Sequence, residues 1–188
     1  MPPKIKTSTQ SIINAVIEII EEKGWESVTV REIAKKLNIS TQPIYREFQD
    51  MQAVKTAAIQ RGFGLFTEYI SHNKQDHALS QAINYVRFAA GHGNLFNFLF
   101  AAKSYTYSDL NDLSHSLIED TGILEKLAGI TGLNREQVYR LHLHIWMELH
   151  GLAVISANNH VTFSEEELIV FVTETSKAFT LLSKEGGR

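Results

Sequence analysis

Within six residues, Thr41, Gln42, Tyr45 and Arg46 offer two hydroxyls, an amide and a guanidinium. Counted along a helix, Gln42, Tyr45 and Arg46 fall at i, i+3 and i+4 and share a face. Groups of this kind hydrogen-bond to base edges and phosphate oxygens in a DNA major groove. Upstream, Thr29 and the helix it opens can meet a phosphate through a hydroxyl and backbone N–H groups. Arg31, Lys35, Lys36 and Arg46 add cations, yet Glu32 and Glu47 offset two of them. The case for a polyanion partner therefore rests on geometry rather than on local charge.

A second set of reactive side chains lies in "HLHIWMELH", which holds His142, His144 and His150. On a helix, His142 and His144 diverge, and His142 and His150 lie about 80° apart but two turns distant. Neither pair has the i, i+4 spacing of a helical zinc site, so no metal and no cofactor are expected. A helical enzyme using His150 with Glu148 is the remote alternative. These two residues diverge on their helix, and no Ser/His/Asp order, phosphate loop or carboxylate pair accompanies them. His150 reads first as a hydrogen-bonded core histidine, and second as a polar group in a ligand pocket beside Trp146 and Tyr139.

The elements that must position these groups are helical almost throughout. Of three prolines, two open the chain and the third is Pro43. Apolar spacing follows a helical period, with no hairpin signal, and predicts about nine helices. The first runs from about Thr9 to Lys23 and ends at Gly24. Thr29 with Glu32 forms a capping box before the stripe Val30, Ile33, Ala34 and Leu37. Asn38 suits the left-handed turn that follows, and Ser40 is expected to cap a helix reaching Phe48. A long helix follows from about Met51 to His72, then one capped by Asp76, ending near Ala90 before Gly91. "NLFNFLFAAK" is a short apolar helix, and one or two more cover Leu110–Ile130. Asn134 with Gln137 caps a helix to about Ala157, and Ser164 with Glu167 caps the last, to about Leu182.

The chain has 188 residues, 44% hydrophobic and 21% charged, with a formal net charge of -3 and no cysteine. A sizeable core is possible and wholesale disorder is not expected. Disulfides and thiolate metal sites are excluded, which fits a reducing compartment. No apolar run approaches the roughly 20 residues of a membrane span, and "MPPKIKTSTQ" lacks the apolar stretch of a signal peptide. A cytoplasmic location with no membrane partner is expected. Up to Arg61 there are nine Lys+Arg against seven Asp+Glu, and beyond it nine against fourteen. The positive balance thus falls on the segment with the DNA-facing pattern.

The stretch from about Ser8 to Ile59 resembles the N-terminal domain of the TetR family of bacterial transcriptional repressors. The likeness lies in an opening helix ending in Gly24-Trp25, then "VTVREIAKKLNIS", Tyr45-x-x-Phe48 and a linker helix. It implies an all-α fold: a three-helix helix-turn-helix domain over residues 1–50 and a larger helical effector-binding and dimerisation domain over 51–188. It implies DNA contacts by Thr29, Gln42, Tyr45 and Arg46, and less directly by Thr41. One position departs from the family pattern. "FQDM" places Met51 where the family commonly has a phosphate-binding lysine, with Asp50 before it. Lys55, one turn later, is expected to compensate in part.

In that family the C-terminal helices bind a small effector and pair two subunits. On the helix Asn134–Ala157, Val138, Leu141, Ile145, Leu149 and Leu152 form one stripe. Tyr139, Leu143, Trp146, Met147, His150 and Val154 form a second beside it. Helices apolar on both sides are expected to face both their own domain and a partner. The first stripe, together with Leu168, Val172, Thr175 and Phe179 of the last helix, is the expected face of a four-helix dimer interface. Gly151 reads as a point of close helix approach. "WMELHGLAV" resembles a C-terminal subclass marked by Trp and His-Gly. Candidate effector-pocket residues are Phe96, Phe100, Tyr105, Tyr107, Tyr139, Trp146 and His150, which would suit an aromatic or lipophilic molecule. The resulting expectation is a homodimeric repressor released from a palindromic operator by an effector. The alternative is a regulator without a small ligand, controlled by a protein partner or acting as an activator.

Overall fold

A computed structural model describes residues 8–71, 78–101, 122–158 and 161–185. Among them are nine α-helices and one 3₁₀ turn, and no strand. The helices are α1 (Thr9–Lys23), α2 (Val30–Leu37), α3 (Gln42–Glu47), α4 (Met51–Ile70), α5 (Ala78–Gly91), α6 (Gly93–Ala101), α7 (Ile123–Thr131), α8 (Arg135–Ala157) and α9 (Glu165–Glu185). The 3₁₀ turn, Trp25–Ser27, joins α1 to α2. The all-α expectation holds. The expected Asp76 cap and much of the Leu110–Ile130 segment lie outside the described residues, and α7 occupies the last part of that segment. Among the described residues no helix is long and apolar enough to cross a membrane.

The chain forms two compact units. The first comprises Met1–Tyr69 with His92–Ala102, and the second Ile70–Gly91 with Lys103–Arg188. The division expected at residue 50 thus falls inside the first unit, because α4 and the later helix α6 pack with the helices before them. Trp25 stacks on Phe98 at 5.1 Å between ring centroids. At Gly62 a Cβ would stand only 2.8 Å from Leu99 Cδ2, so α4 and α6 approach closely there. His92 Nδ1 lies 2.8 Å from Glu21 Oε1, and Asn94 Nδ2 donates to the Glu21 carbonyl at 2.9 Å, tying α6 to the end of α1.

Local signals explain how the first unit begins. Ser8 and Ser11 cap each other's backbone N–H across the start of α1. The helix then buries Ile12, Val16 and Ile20 completely, and Ile33 of α2 and Ile44 of α3 complete this core. Burying five such side chains supplies on the order of 10 kcal/mol before conformational entropy is counted. Gly24 ends α1 at φ 77° and ψ 166°, a backbone region accessible to glycine. Thr29 Oγ1 accepts the Glu32 N–H at 3.1 Å. The Glu32 carboxylate lies 4.0 Å from Lys23 Nζ.

The turn after α2 is a Schellman closure. Asn38 takes φ 53° and ψ 47°, the left-handed conformation. Its N–H reaches the Lys35 carbonyl at 3.1 Å, and the Ile39 N–H reaches the Ala34 carbonyl at 3.0 Å. Ser40 does not cap α3. Thr41 holds the cap position without a side-chain bond, and Pro43 stands in the first turn, where its missing N–H has no intrahelical partner. Asp50 caps α4 instead, its Oδ1 accepting the Ala53 N–H at 2.8 Å.

In the second unit α8 is the central helix, packed against α5, α7 and α9. Both expected caps form: Asn134 with Gln137 and Ser164 with Glu167. Val138, Leu141, Ile145 and Leu149 are buried within the chain, as are Leu168 and Val172 of α9. The stripe expected to meet a partner therefore faces the chain's own core, where these side chains cover α5, α7 and α9. The outward side of α8 carries Arg140, His144, Met147, Gly151, Val154 and Ile155. Gly151 is exposed, and a Cβ there would meet nothing within 4 Å, so it is not a close approach within this chain. Leu152, Thr175 and Phe179 are half-buried.

Polar groups inside this unit are few. The Tyr85 hydroxyl lies 2.9 Å from His150 Nδ1. Burial raises the Tyr85 pKa, with a hydrogen bond from Trp146 opposing it, so the phenol stays protonated. Burial also lowers the His150 pKa and pushes that of His142 down to about 4. Among the described residues, His142 Nδ1 and Gln81 Oε1 are buried without a hydrogen-bond partner.

Two outcomes follow from this fold. Asn38→Gly should leave stability within about 0.5 kcal/mol of wild type, whereas Asn38→Val should lose about 1–2 kcal/mol, read from urea midpoints. Equal stabilities would refute the strain argument. His142 titrates near its ordinary 6.5 when unfolded and at about 4 when folded. The unfolded chain therefore binds the proton more readily between those values. Stability should fall as pH drops from about 6.5 to about 4, by up to about 3 kcal/mol. His150 acts in the same direction. His142→Gln should make the pH profile shallower, and an unchanged slope would mean that His142 is not held neutral by burial.

Candidate nucleic-acid interface

Helix α3 divides its side chains as the i, i+3, i+4 count requires. Ile44 and the following Phe48 are buried against the core, while Gln42, Tyr45 and Arg46 are exposed. Tyr45 is 61% exposed, a large cost in unburied aromatic surface. Thr41 is half-buried at the head of the helix. These groups form one outward polar face on the second helix of the pair, held at a fixed angle by the Asn38 turn.

Thr29 is exposed beside this face. Its hydroxyl oxygen caps α2 as an acceptor, and its O–H remains available to donate. Arg31 is exposed in the first turn of α2. The flanking lysines differ. Lys35 is exposed, but Lys36 Nζ lies 2.6 Å from Glu22 Oε1 and 3.1 Å from Glu18 Oε2. This pairing raises the Lys36 pKa and lowers that of Glu22. Lys36 thus ties α2 to α1, and its charge is already neutralised.

Lys55 is half-buried, with Nζ 5.5 Å from the centroid of the Trp25 ring. It is engaged in a cation–π contact inside the first unit. Met51 is the first residue of α4, and Asp50 beside it serves as that helix's cap. The sequence reading missed this cap, although an aspartate one residue before a helix is the ordinary signal for one. It also missed Glu47, whose carboxylate accepts the Thr9 hydroxyl at 2.7 Å and faces Arg46 Nε at 3.5 Å.

The candidate effector residues divide between the two units. Phe96 and Phe100 of α6 lie in the first, with ring centroids 4.6 Å apart. Phe100 also meets Phe63 and Phe66 edge-on, at 5.8 and 5.5 Å. Tyr139, Trp146 and His150 of α8 lie in the second. There the Trp146 and His150 rings stack at 4.9 Å, and Arg135 donates to the Tyr139 hydroxyl at 3.1 Å. Tyr105 and Tyr107 lie outside the described residues. His150 and Glu148 serve separate partners: His150 meets Tyr85, and Glu148 Oε2 accepts the Thr175 hydroxyl at 2.6 Å. An open groove of about 560 Å³ runs between α8 and α9, lined in part by Arg140, His144, Phe179 and Leu182. None of the candidate effector residues lines it.

Comparison with known proteins places this geometry. A family model described as bacterial regulatory proteins, tetR family, matches residues 12–58, from α1 into α4. YobS, an uncharacterised HTH-type transcriptional regulator of Bacillus subtilis (strain 168), is 30% identical over 94 residues. That alignment covers 47% of this chain and 49% of YobS. YvkB, an uncharacterised HTH-type transcriptional regulator of the same organism, is 28% identical over 57 residues, 30% of each chain. The chain therefore spans about half the length of the first relative and less of the second. The matched segment contains the whole α2–turn–α3 unit and its outward polar face, and over that segment the chain is similar to the tetR family of bacterial regulatory proteins.

Proposed function

We propose that this protein is a homodimeric transcription regulator that binds a palindromic DNA operator, represses transcription there, and is released by a small aromatic or lipophilic effector. The observation that carries the DNA reading is the outward Gln42, Tyr45 and Arg46 face on α3, at the family-matched position. It would enter the major groove, with Thr29, Arg31 and the α2 N-terminus on the flanking phosphates.

A twofold operator requires two such faces about 34–36 Å apart or a multiple of that spacing. The pairing surface that suits this is the outward side of α8 and α9, where Met147, Val154, Phe171, Ala178 and Leu182 are exposed. Leu182 is 68% exposed, and an apolar stripe of this kind is better covered by a second copy than left in water. Exposed Gly151 lets a partner helix come near. Half-buried Thr175 and Phe179 border this surface, and the core stripe of α8 does not take part.

For the effector, support comes from a mostly apolar second unit that holds a few internal polar groups: Tyr85 with His150, and the unpartnered Gln81 Oε1 and His142 Nδ1. All are neutral under these conditions, which favours an uncharged or weakly polar molecule over an ion. Such a molecule would act by binding one of two spacings of the α3 helices better than the other.

Selection from random DNA duplexes by the full chain should enrich a palindrome, bound with strong salt dependence. Tyr45→Ala should weaken that binding by about tenfold, with helicity and dimer mass unchanged; unaltered affinity would refute the assignment of α3. Met51→Lys keeps the Asp50 cap and should tighten binding, raising the slope of log affinity against log salt by about 0.9. A flat response would mean that no phosphate lies within reach of that position. Thermal-shift screening with aromatic and lipophilic compounds tests the effector, since a ligand of the folded state alone raises the melting temperature. Failure of every compound to shift it would favour control by a protein partner.

A further inference from the structure

An acidic residue on a surface meant for phosphates is unfavourable unless it does something there, and Glu47 is the last residue of α3. Its Oε2 accepts the Thr9 hydroxyl at 2.7 Å, and its Oε1 faces Arg46 Nε at 3.5 Å. Thr9 is the first residue of α1, and the Ser8–Ser11 capping box fixes the backbone there. The carboxylate is thus tethered from a second helix rather than left to sample solvent. The Glu47 side chain is 27% exposed and that of Arg46 68%.

We infer that Glu47, tethered by Thr9, is a positioning residue that sets how the Arg46 guanidinium is presented to a DNA base pair. This rests on the DNA-binding reading above. With Nε turned toward Glu47, the two terminal amino groups of Arg46 make no hydrogen bond among the described residues. Guanidinium N–H groups are what read the O6 and N7 acceptors of guanine in a bidentate contact. An untethered exposed arginine would spread over several rotamers and settle on whichever phosphate came nearest, adding affinity without sequence preference. The Glu47 carboxylate itself repels phosphates, so it lowers binding to every sequence alike. The Thr9 bond also holds the Glu47 pKa below the ordinary carboxylate value, so the group stays charged at neutral pH.

The test uses the full chain and two probes: the duplex that wild type selects from a random library, and a random duplex of the same length. Glu47→Gln should weaken binding to the selected duplex by about fivefold. It should also tighten binding to the random duplex by about twofold, because one phosphate repulsion is gone. Thr9→Val should shift both in the same directions by less, and Thr9→Ser, which keeps the hydroxyl, should match wild type. A purely structural role would lower both affinities together, and that pattern would overturn the inference. A selected-to-random ratio unchanged in Glu47→Gln would overturn it too. If wild type enriches no sequence at all, the DNA-binding reading fails first and this inference falls with it.

Discussion

The direction in which α3 leaves α2 is decided at Asn38, and the use of the first unit depends on it. A left-handed residue with two backbone hydrogen bonds closes α2 and turns the chain. Ile44 and Phe48 then point into the core formed by α1 and α2, and Gln42, Tyr45 and Arg46 can only point out. A β-branched residue in the left-handed region would set steric strain against these hydrophobic contacts. Among the described residues Asn38 is the one non-glycine with positive φ. The strain is small for asparagine and is spent where the direction of α3 is decided.

The charges of this unit are arranged around that turn rather than massed on the outward side of α3. Glu18 and Glu22 take up Lys36, Glu21 meets His92, and Glu32 lies near Lys23. Such exposed pairs add little stability each. Their effect is selective, since they remove some cations from the surface and leave Arg31 and Lys35 for it, with Arg46 held by Glu47. This explains how a chain with a net charge of -3 carries a face suited to a polyanion. The departure at Met51 belongs to the same logic. Asp50 is needed to start α4, and the cation nearest in sequence, Lys55, is drawn to the face of Trp25.

Hydrophobic surface is allocated in a similar way in the second unit. Helix α8 carries more apolar residues than one neighbour can cover. Its Val138–Leu141–Ile145–Leu149 stripe is covered by α5, α7 and α9, while Met147, Val154 and Ile155 are left on the outward side. Both stripes are largely apolar, and periodicity counts apolar residues without saying what lies opposite. Of the second stripe only Met147 and Val154 are exposed, while Tyr139 is buried too. Gly151, expected as a point of close helix approach, is exposed, and a Cβ there would meet nothing within 4 Å among the described residues.

Most of what was legible in the sequence is local. The helices, the caps at Ser164 and Asn134, the glycine stop at Gly24 and the left-handed Asn38 depend on residues within one or two turns, so they can be read from neighbours alone. The outward face of α3 was legible for the same reason, because i, i+3 and i+4 fix a face wherever the helix goes. The tertiary structure decided who meets whom across long separations. Lys36 pairs on α1, Thr9 reaches Glu47, and His92 with Asn94 brings α6 back onto α1, so that the first unit reaches well past residue 50. Such contacts are chosen by the shared burial of distant apolar faces, and no spacing along the chain records which faces will be shared.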